Sequence, residues 1–186
     1  MTYTLKREEL GNGLLASVLE ALAKAYKEIG AEVYVVGAAA RDLSLKLLGA
    51  GSAPRRTMDL DVAVLLEKWD EYERLTEILI KDGFVKAPEK QRFYYCGIEN
   101  VRYEVDIVPF GDIAQEEMVA WPPEGNPVMS VRCFADVMKN ADEVSVEDRF
   151  DFRMASLSGQ WLIKLDAWCD RRLMTRKDAA DMQFIL

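Results

Sequence analysis

A change of period at Gly37 constrains this chain more than any other feature. Residues 32–36 (EVYVV) form a short β-rich run, and the AAARDLSLKLL that follows the glycine has the composition of a helix. Strand, tight turn and helix therefore succeed one another with a single glycine at the junction. Backbone N–H groups at such a junction point outward, which is how a chain grips phosphate without using side chains.

The same reading extends along the chain. A helix is predicted over residues 12–29, where Leu15, Val18, Leu19, Leu22 and Tyr26 recur at helical spacing, with Asn12 as N-cap and Gly30 as stop. Residues 49–54 (GAGSAP) read as a loop, and MDLDVAVL at 58–65 alternates as a strand does. A second helix is expected over 68–82, with Trp69, Tyr72, Leu75, Ile78 and Leu79 as its apolar stripe and Gly83 as its stop. A strand at 92–96 leads through GIEN, a hairpin-like turn, to VRYEVDIV at 101–108. Residues 110–146 carry a weaker pattern: WPPEGNP is loop, and 131–139 suits a short helix. Helical periodicity returns over 158–172, and a last helix starts near Thr175. Strands alternating with helices, plus a hairpin, indicate an α/β or α+β fold around a mixed sheet. No repeat, low-complexity tract or linker separates two large domains, and the organisation expected is a core over 1–150 with a helical segment over 151–186. That segment stops inside an apolar helix (DAADMQFIL), which leaves room for a further C-terminal helical part.

Composition narrows the chemistry. The 186 residues include no histidine, so Ser-His and Cys-His nucleophile pairs, imidazole metal sites and the usual near-neutral proton shuttle are all excluded. With 24 Lys+Arg against 32 Asp+Glu, the net charge is −8, which argues against unspecific coating of nucleic acid but leaves a local basic patch open. Cys96, Cys133 and Cys169 are far apart and form no CxxC pair, so neither a zinc ribbon nor a disulfide framework fits, and a reduced cytosol suits them. The polar start MTYTLKREEL has no apolar core, and no long apolar run follows, so neither export nor a membrane span is expected and the location expected is cytoplasmic.

Without histidine, attention falls on the carboxylates. In MDLDVAV the period of two puts Asp59, Asp61 and Ala63 on one face and Leu60, Val62 and Val64 on the other. In VRYEVDIV, Arg102, Glu104 and Asp106 share the face opposite Tyr103, Val105 and Ile107. If the two strands are neighbours, Asp106 approaches Asp59 and Asp61. Such a cluster repels itself unless cations compensate, and one or two Mg²⁺ ions, which prefer carboxylate oxygen, are the economical partners. Two-metal phosphoryl or nucleotidyl transfer follows. The plainer reading is an acidic, solvated sheet face, and Glu104 is left to it. A haloacid-dehalogenase-type phosphatase would want an apolar strand directly before the first aspartate, whereas PRRTM precedes it here.

Together, Val36-Gly37-Ala38, Asp59-Leu60-Asp61 and Asp106 resemble the pattern of the DNA polymerase β-like nucleotidyltransferases, and VVGAAARD is similar to the GGxVRD opening of the CCA-adding enzymes. With the C-terminal KLDAWCDRRLMTRKDAAD, the likeness is strongest to the AbiEii-type nucleotidyltransferases, toxin components of type IV toxin–antitoxin pairs. The resemblance implies a nucleotidyltransferase-type mixed sheet flanked by helices, with a C-terminal helical segment. It implies transfer of a nucleotide from an NTP to an acceptor hydroxyl, tRNA or another RNA, with pyrophosphate leaving, and a cognate antitoxin as partner. Asp59 and Asp61 would bind both metal ions, and Asp106 would hold the catalytic one and take the acceptor's proton. Gly37 and Ala38 would form the phosphate turn, although alanine stands where many relatives have serine or glycine.

Arg41, one turn into the helix after Gly37, and Arg56, just before the D-x-D strand, can reach a phosphate, or each can be a surface ion pair. Lys164, Trp168 and Arg171 share one helix face, and Lys164 matches the family's lysine, with a solvated helix lysine as the plainer alternative. The motif KDxxD covers Asp178 and Asp181; Asp178 can instead close a capping box with Thr175, whereas Asp181 is the functional candidate. Arg171, Arg172, Arg176 and Lys177 form a basic strip suited to an RNA backbone or to a solvated turn. A small-molecule or protein acceptor, or a non-catalytic NTP-binding module, are the competing functions.

Overall fold

The computed structural model describes residues 1–10, 13–50, 59–96 and 102–185. Several of its elements follow from the periodicities above. Helix α1 (Gly13–Glu28) buries Val18, Leu19, Leu22 and Tyr26 against the sheet and stops at Gly30, whose φ of 75° lets the Ala31 N–H return to the Tyr26 carbonyl at 2.9 Å. Strand β2 (Tyr34–Val36) is buried along its length, and α2 (Gly37–Leu47) starts on the glycine itself. Strand β3 (Asp59–Leu65), helix α3 (Trp69–Lys81), strand β5 (Arg92–Cys96) and strand β6 (Arg102–Phe110) lie where the sequence placed them. The expected Asn12 cap, most of the 49–54 loop and the GIEN turn lie outside the described residues.

Other elements were not expected from the sequence. Strand β1 (Thr2–Leu5), a 3₁₀ turn at Arg7–Leu10, strand β4 (Phe84–Lys86), the β7 (Met118–Ala120) and β8 (Val128–Ser130) hairpin, and strands β9 (Asp142–Val146) and β10 (Phe150–Met154) belong here. The short helix α4 (Phe134–Lys139) begins later than expected because Cys133 takes a left-handed conformation, φ 61°, and interrupts the run from Val131. Helix α5 (Leu157–Arg171) is capped by Ser156, whose Oγ accepts the Gly159 N–H, and α6 (Lys177–Ile185) follows a short turn.

One sheet of eight strands, in the order β1-β9-β10-β2-β3-β6-β5-β4, organises the molecule. It is mixed: β1/β9, β10/β2 and β3/β6 run parallel, while β9/β10, β2/β3, β5/β6 and β4/β5 run antiparallel. On one face, Leu60, Val62, Val64, Val105 and Ile107 pack in a single core with residues of α1 and α3. The opposite face carries a second core of Tyr34, Val36, Ala63, Phe110, Trp121, Phe134 and Met138 beneath α4 and α5. Trp121, buried although it belongs to the WPPEGNP loop, joins Trp69 and Tyr72 in an aromatic cluster and anchors the small hairpin to the domain. Burial of each such large apolar side chain contributes ~1.5–3 kcal/mol. The second core ends at Ala63; one pleat further along β3 the same face carries Asp61. The sheet runs on through β10, so the helical segment proper begins at α5. Among the described residues no helix is long and apolar enough to cross a membrane.

Candidate active site

Register places the acidic residues. Strands β3 and β6 are parallel neighbours with Asp61 opposite Asp106 and Asp59 opposite Glu104, so all of these carboxylates leave the sheet on one face. Val36, the last residue of β2, lies opposite Asp61 from the other side. The next residue, Gly37, has φ 66°, and a Cβ there would lie 2.1 Å from Asp61 Oδ2. A side chain at this position would thus drive Asp61 away, and glycine is required both by the conformation and by the approach. Helix α2 opens at this point with Val36 as its N-cap, a residue with no side-chain hydrogen bond to offer the first turn. The first N–H groups of the helix, that of half-buried Ala38 among them, open beside Asp61.

Charge at Asp61 is costly in this setting. Burial first, and then the charges of Asp59 and Asp106, push its carboxyl up from the usual range to about 6, while Lys164 and Lys177 pull in the opposite direction. Lys164 lies on α5, which packs against α2, the helix that opens beside Asp61.

Helices α5 and α6 are joined by charges. Lys164 Nζ lies 2.8 Å from Asp181 Oδ2 and 3.6 Å from Asp178 Oδ1. Asp178 is fully buried and receives two bonds from the Arg171 guanidinium, at 2.7 and 2.8 Å, which hold its carboxyl below the usual range. In place of a capping box, its side chain pairs with α5, while Thr175 Oγ1 accepts the Lys177 N–H. Arg41, 9% exposed, reaches Asp42 at 2.8 Å and Asp181 at 3.2 Å, with its guanidinium over the Phe184 ring. Lys164, Asp178, Asp181 and Arg41 therefore form one network, joined to the carboxylate face through α2, which carries both Ala38 and Arg41. Arg56 lies outside the described residues.

The residue that sequence reasoning missed is Arg92. It stands on β5 directly opposite Asp106 and forks onto it, with Nε to Oδ1 and Nη2 to Oδ2 both at 2.8 Å. Nη2 also lies 2.8 Å from Glu104 Oε1. The sequence offers no signal for it: a four-residue GIEN turn would set Cys96 against Val101 and Arg92 against Val105, whereas the strands pair Cys96 with Arg102 and Arg92 with Asp106. Glu104 is accordingly salt-bridged.

The structure is similar to that of an antigenic nucleotidyltransferase-like protein from Paracoccidioides brasiliensis, with a TM-score of 0.58 and 17% identity over 97% of this chain and 75% of that one. The fold is that of a nucleotidyltransferase. Weaker likenesses are to the lincomycin-bound lincosamide antibiotic adenylyltransferase LnuA (TM-score 0.48, 14% identity, 97% of this chain and 96% of that one) and to the Thermotoga maritima CCA-adding enzyme with tRNA (0.34, 24%, 55% and 23%). At those scores they carry no argument. No protein-family model and no curated protein matches the sequence.

A divalent cation fits this nucleotidyltransferase fold in its donor chemistry. Asp59 and Asp61 offer carboxylate oxygens on one face, and the raised pKa of Asp61 marks a charge that a cation would relieve. As the side chains stand, no group of three or more Asp, Glu or Cys residues among those described converges to hold a metal ion, and both oxygens of Asp106 are taken by Arg92. Among the described residues Asp59 and Asp61 carry no ion pair, and Asp106 would join them once the guanidinium yields.

Proposed function

We propose that the protein is a Mg²⁺-dependent nucleotidyltransferase that moves a nucleotide from an NTP to an acceptor hydroxyl. The observation that carries this reading is the register of Asp61 against Asp106, with Asp59 beside them and the Gly37 turn closed onto Asp61, on a nucleotidyltransferase fold. In the reaction the acceptor oxygen forms a bond to the α-phosphorus, the bond from that phosphorus to the bridging oxygen breaks, and pyrophosphate leaves with the electron pair. The hydroxyl proton passes to Asp106. The N–H groups following Gly37 bind phosphate oxygens, and Ala38 allows this because the contact uses backbone alone. Lys164 and Arg41 exchange their present partner, Asp181, for the triphosphate. Asp178 holds Arg171 and Lys164 in position between α5 and α6. Mg²⁺ held by Asp59, Asp61 and Asp106, as one or two ions, would neutralise the triphosphate and polarise the reacting oxygens.

For the acceptor, we favour RNA, tRNA in particular. The turn between α5 and α6 exposes Arg172, Arg176 and Lys177, a local basic tip on an acidic protein. A toxin role with a cognate antitoxin belongs to the same reading, on the strength of the C-terminal motif resemblance. The second reading, an NTP-binding module without transfer, draws on the contact that keeps Asp106 occupied. The two are separated by incubating the protein with labelled NTPs, Mg²⁺ and total RNA, with protein and small-molecule fractions in parallel. The proposal expects label on an acceptor and its loss in Asp59→Ala and Asp61→Ala. NTP binding without label in any fraction favours the module, and label that persists in both variants contradicts the site.

A further inference from the structure

Arg92 raises a question that the reaction above does not answer. A bidentate, charge-assisted contact between guanidinium and carboxylate is among the stronger polar contacts a protein makes, and here it occupies both oxygens that Asp106 would offer to a cation. The contact is not deeply buried: the Arg92 side chain is 26% exposed and that of Asp106 20%. Its geometry also contains an alternative. Glu104 lies two residues back along β6 on the same face, 2.8 Å from the Nη2 that already serves Asp106, so the guanidinium has a second carboxylate in reach without leaving the strand pair. Glu104, in turn, lies opposite Asp59 and shares the face of the cluster.

We propose that Arg92 is a displaceable counter-ion. It neutralises Asp106 while the acidic face holds no cation, and it retires to Glu104 when a divalent cation takes the Asp106 oxygens. This rests on the reading of Asp59, Asp61 and Asp106 as a cation site. In the cation-free protein the guanidinium offsets the charge of Asp106, which stands directly opposite Asp61 on the neighbouring strand. In the loaded protein it stays on the rim, held by Glu104, as a positive charge beside the site. Arg92 is therefore a positioning residue for Asp106, and Glu104 is the seat that makes its release inexpensive.

The test reads cation binding without nucleotide or turnover: Mn²⁺ titrated into the full chain and followed by electron paramagnetic resonance. Arg92→Gln removes the competitor and is expected to tighten Mn²⁺ binding about tenfold. Glu104→Gln removes the alternative seat and is expected to weaken binding several-fold. The double variant R92Q/E104Q should bind as R92Q does, because Glu104 matters only through Arg92; a purely structural role would make the two effects add. Should R92Q fold poorly, Arg92→Lys takes its place: a lysine keeps the charge but cannot fork onto both Asp106 oxygens, so Mn²⁺ binding is expected to tighten, by less than in R92Q, and R92K binding no tighter than wild type overturns the role. Binding by E104Q equal to wild type, or by folded R92Q no tighter than wild type, overturns the counter-ion role. Asp61→Asn distinguishes this from a failure of the site itself: if it binds Mn²⁺ as wild type does, the cation site is misassigned, whereas loss of binding in D61N with no change in R92Q refutes only Arg92.

Discussion

At the residue scale, the junction of Gly37 and Asp61 carries most of the site's definition. Gly37→Ala places a methyl 2.1 Å from Asp61 Oδ2 and forces a left-handed alanine, so a loss of about 2 kcal/mol in urea unfolding is expected, together with loss of nucleotide binding. Asp61 gives the opposite sign. Its folded pKa of about 6 lies above the usual 3.8, so between these values the unfolded chain has lost the proton that the folded chain keeps. Stability should therefore fall as pH rises from about 4 to 6, by an amount on the order of 2–3 kcal/mol, and stay level above that. Asp61→Asn should flatten this slope and stabilise the protein at neutral pH while abolishing transfer; chemical denaturation across pH 4–8 without divalent cations checks both. A D61N variant less stable than wild type at pH 7 would contradict the electrostatic account.

At the element scale, α6 is unusual in what holds it. Its one buried residue is Asp178, and its attachment runs through Arg171, Lys164 and Arg41 rather than through an apolar stripe. Arg171→Ala leaves Asp178 buried with only the longer Lys164 contact, at a cost of about 1–3 kcal/mol. Hydrogen exchange should then quicken across Lys177–Ile185 while the β3–β6 strands keep their protection; unchanged exchange in α6 would contradict this. Sequence reasoning saw the acidic pair of α6 but not the ion pair, because a 3.6-residue pattern says which residues share a face, not which helix lies against it. The same limit explains the missed strands. DEVSV and FDFRM alternate as strands do, with Phe150, Phe152 and Met154 inward, but five residues with charges between them offer too little pattern to separate from a turn-rich segment. By contrast, β3 and β6 were legible, since long alternation fixed both their faces and the carboxylates on them.

At the scale of the whole molecule, the eight-stranded sheet separates two tasks. One face is closed by α1 and α3 and supplies the continuous core; the other is closed only as far as Ala63, and beyond it the carboxylates meet the opening of α2 and the cations of α5. A groove of about 1000 Å³ lies between α1 and strands β9 and β10, and none of the candidate site residues lines it. The net charge of −8 and the absence of histidine, which directed attention to carboxylates, thus meet the fold at one edge of the second core. The most direct test is calorimetric titration of the intact chain with a non-hydrolysable NTP in the presence and absence of Mg²⁺, for wild type and Asp61→Asn. The account predicts Mg²⁺-dependent binding by wild type, weakened at least tenfold in D61N and lost with Gly37→Ala. Binding that is indifferent to Mg²⁺, or equal in wild type and D61N, would contradict it.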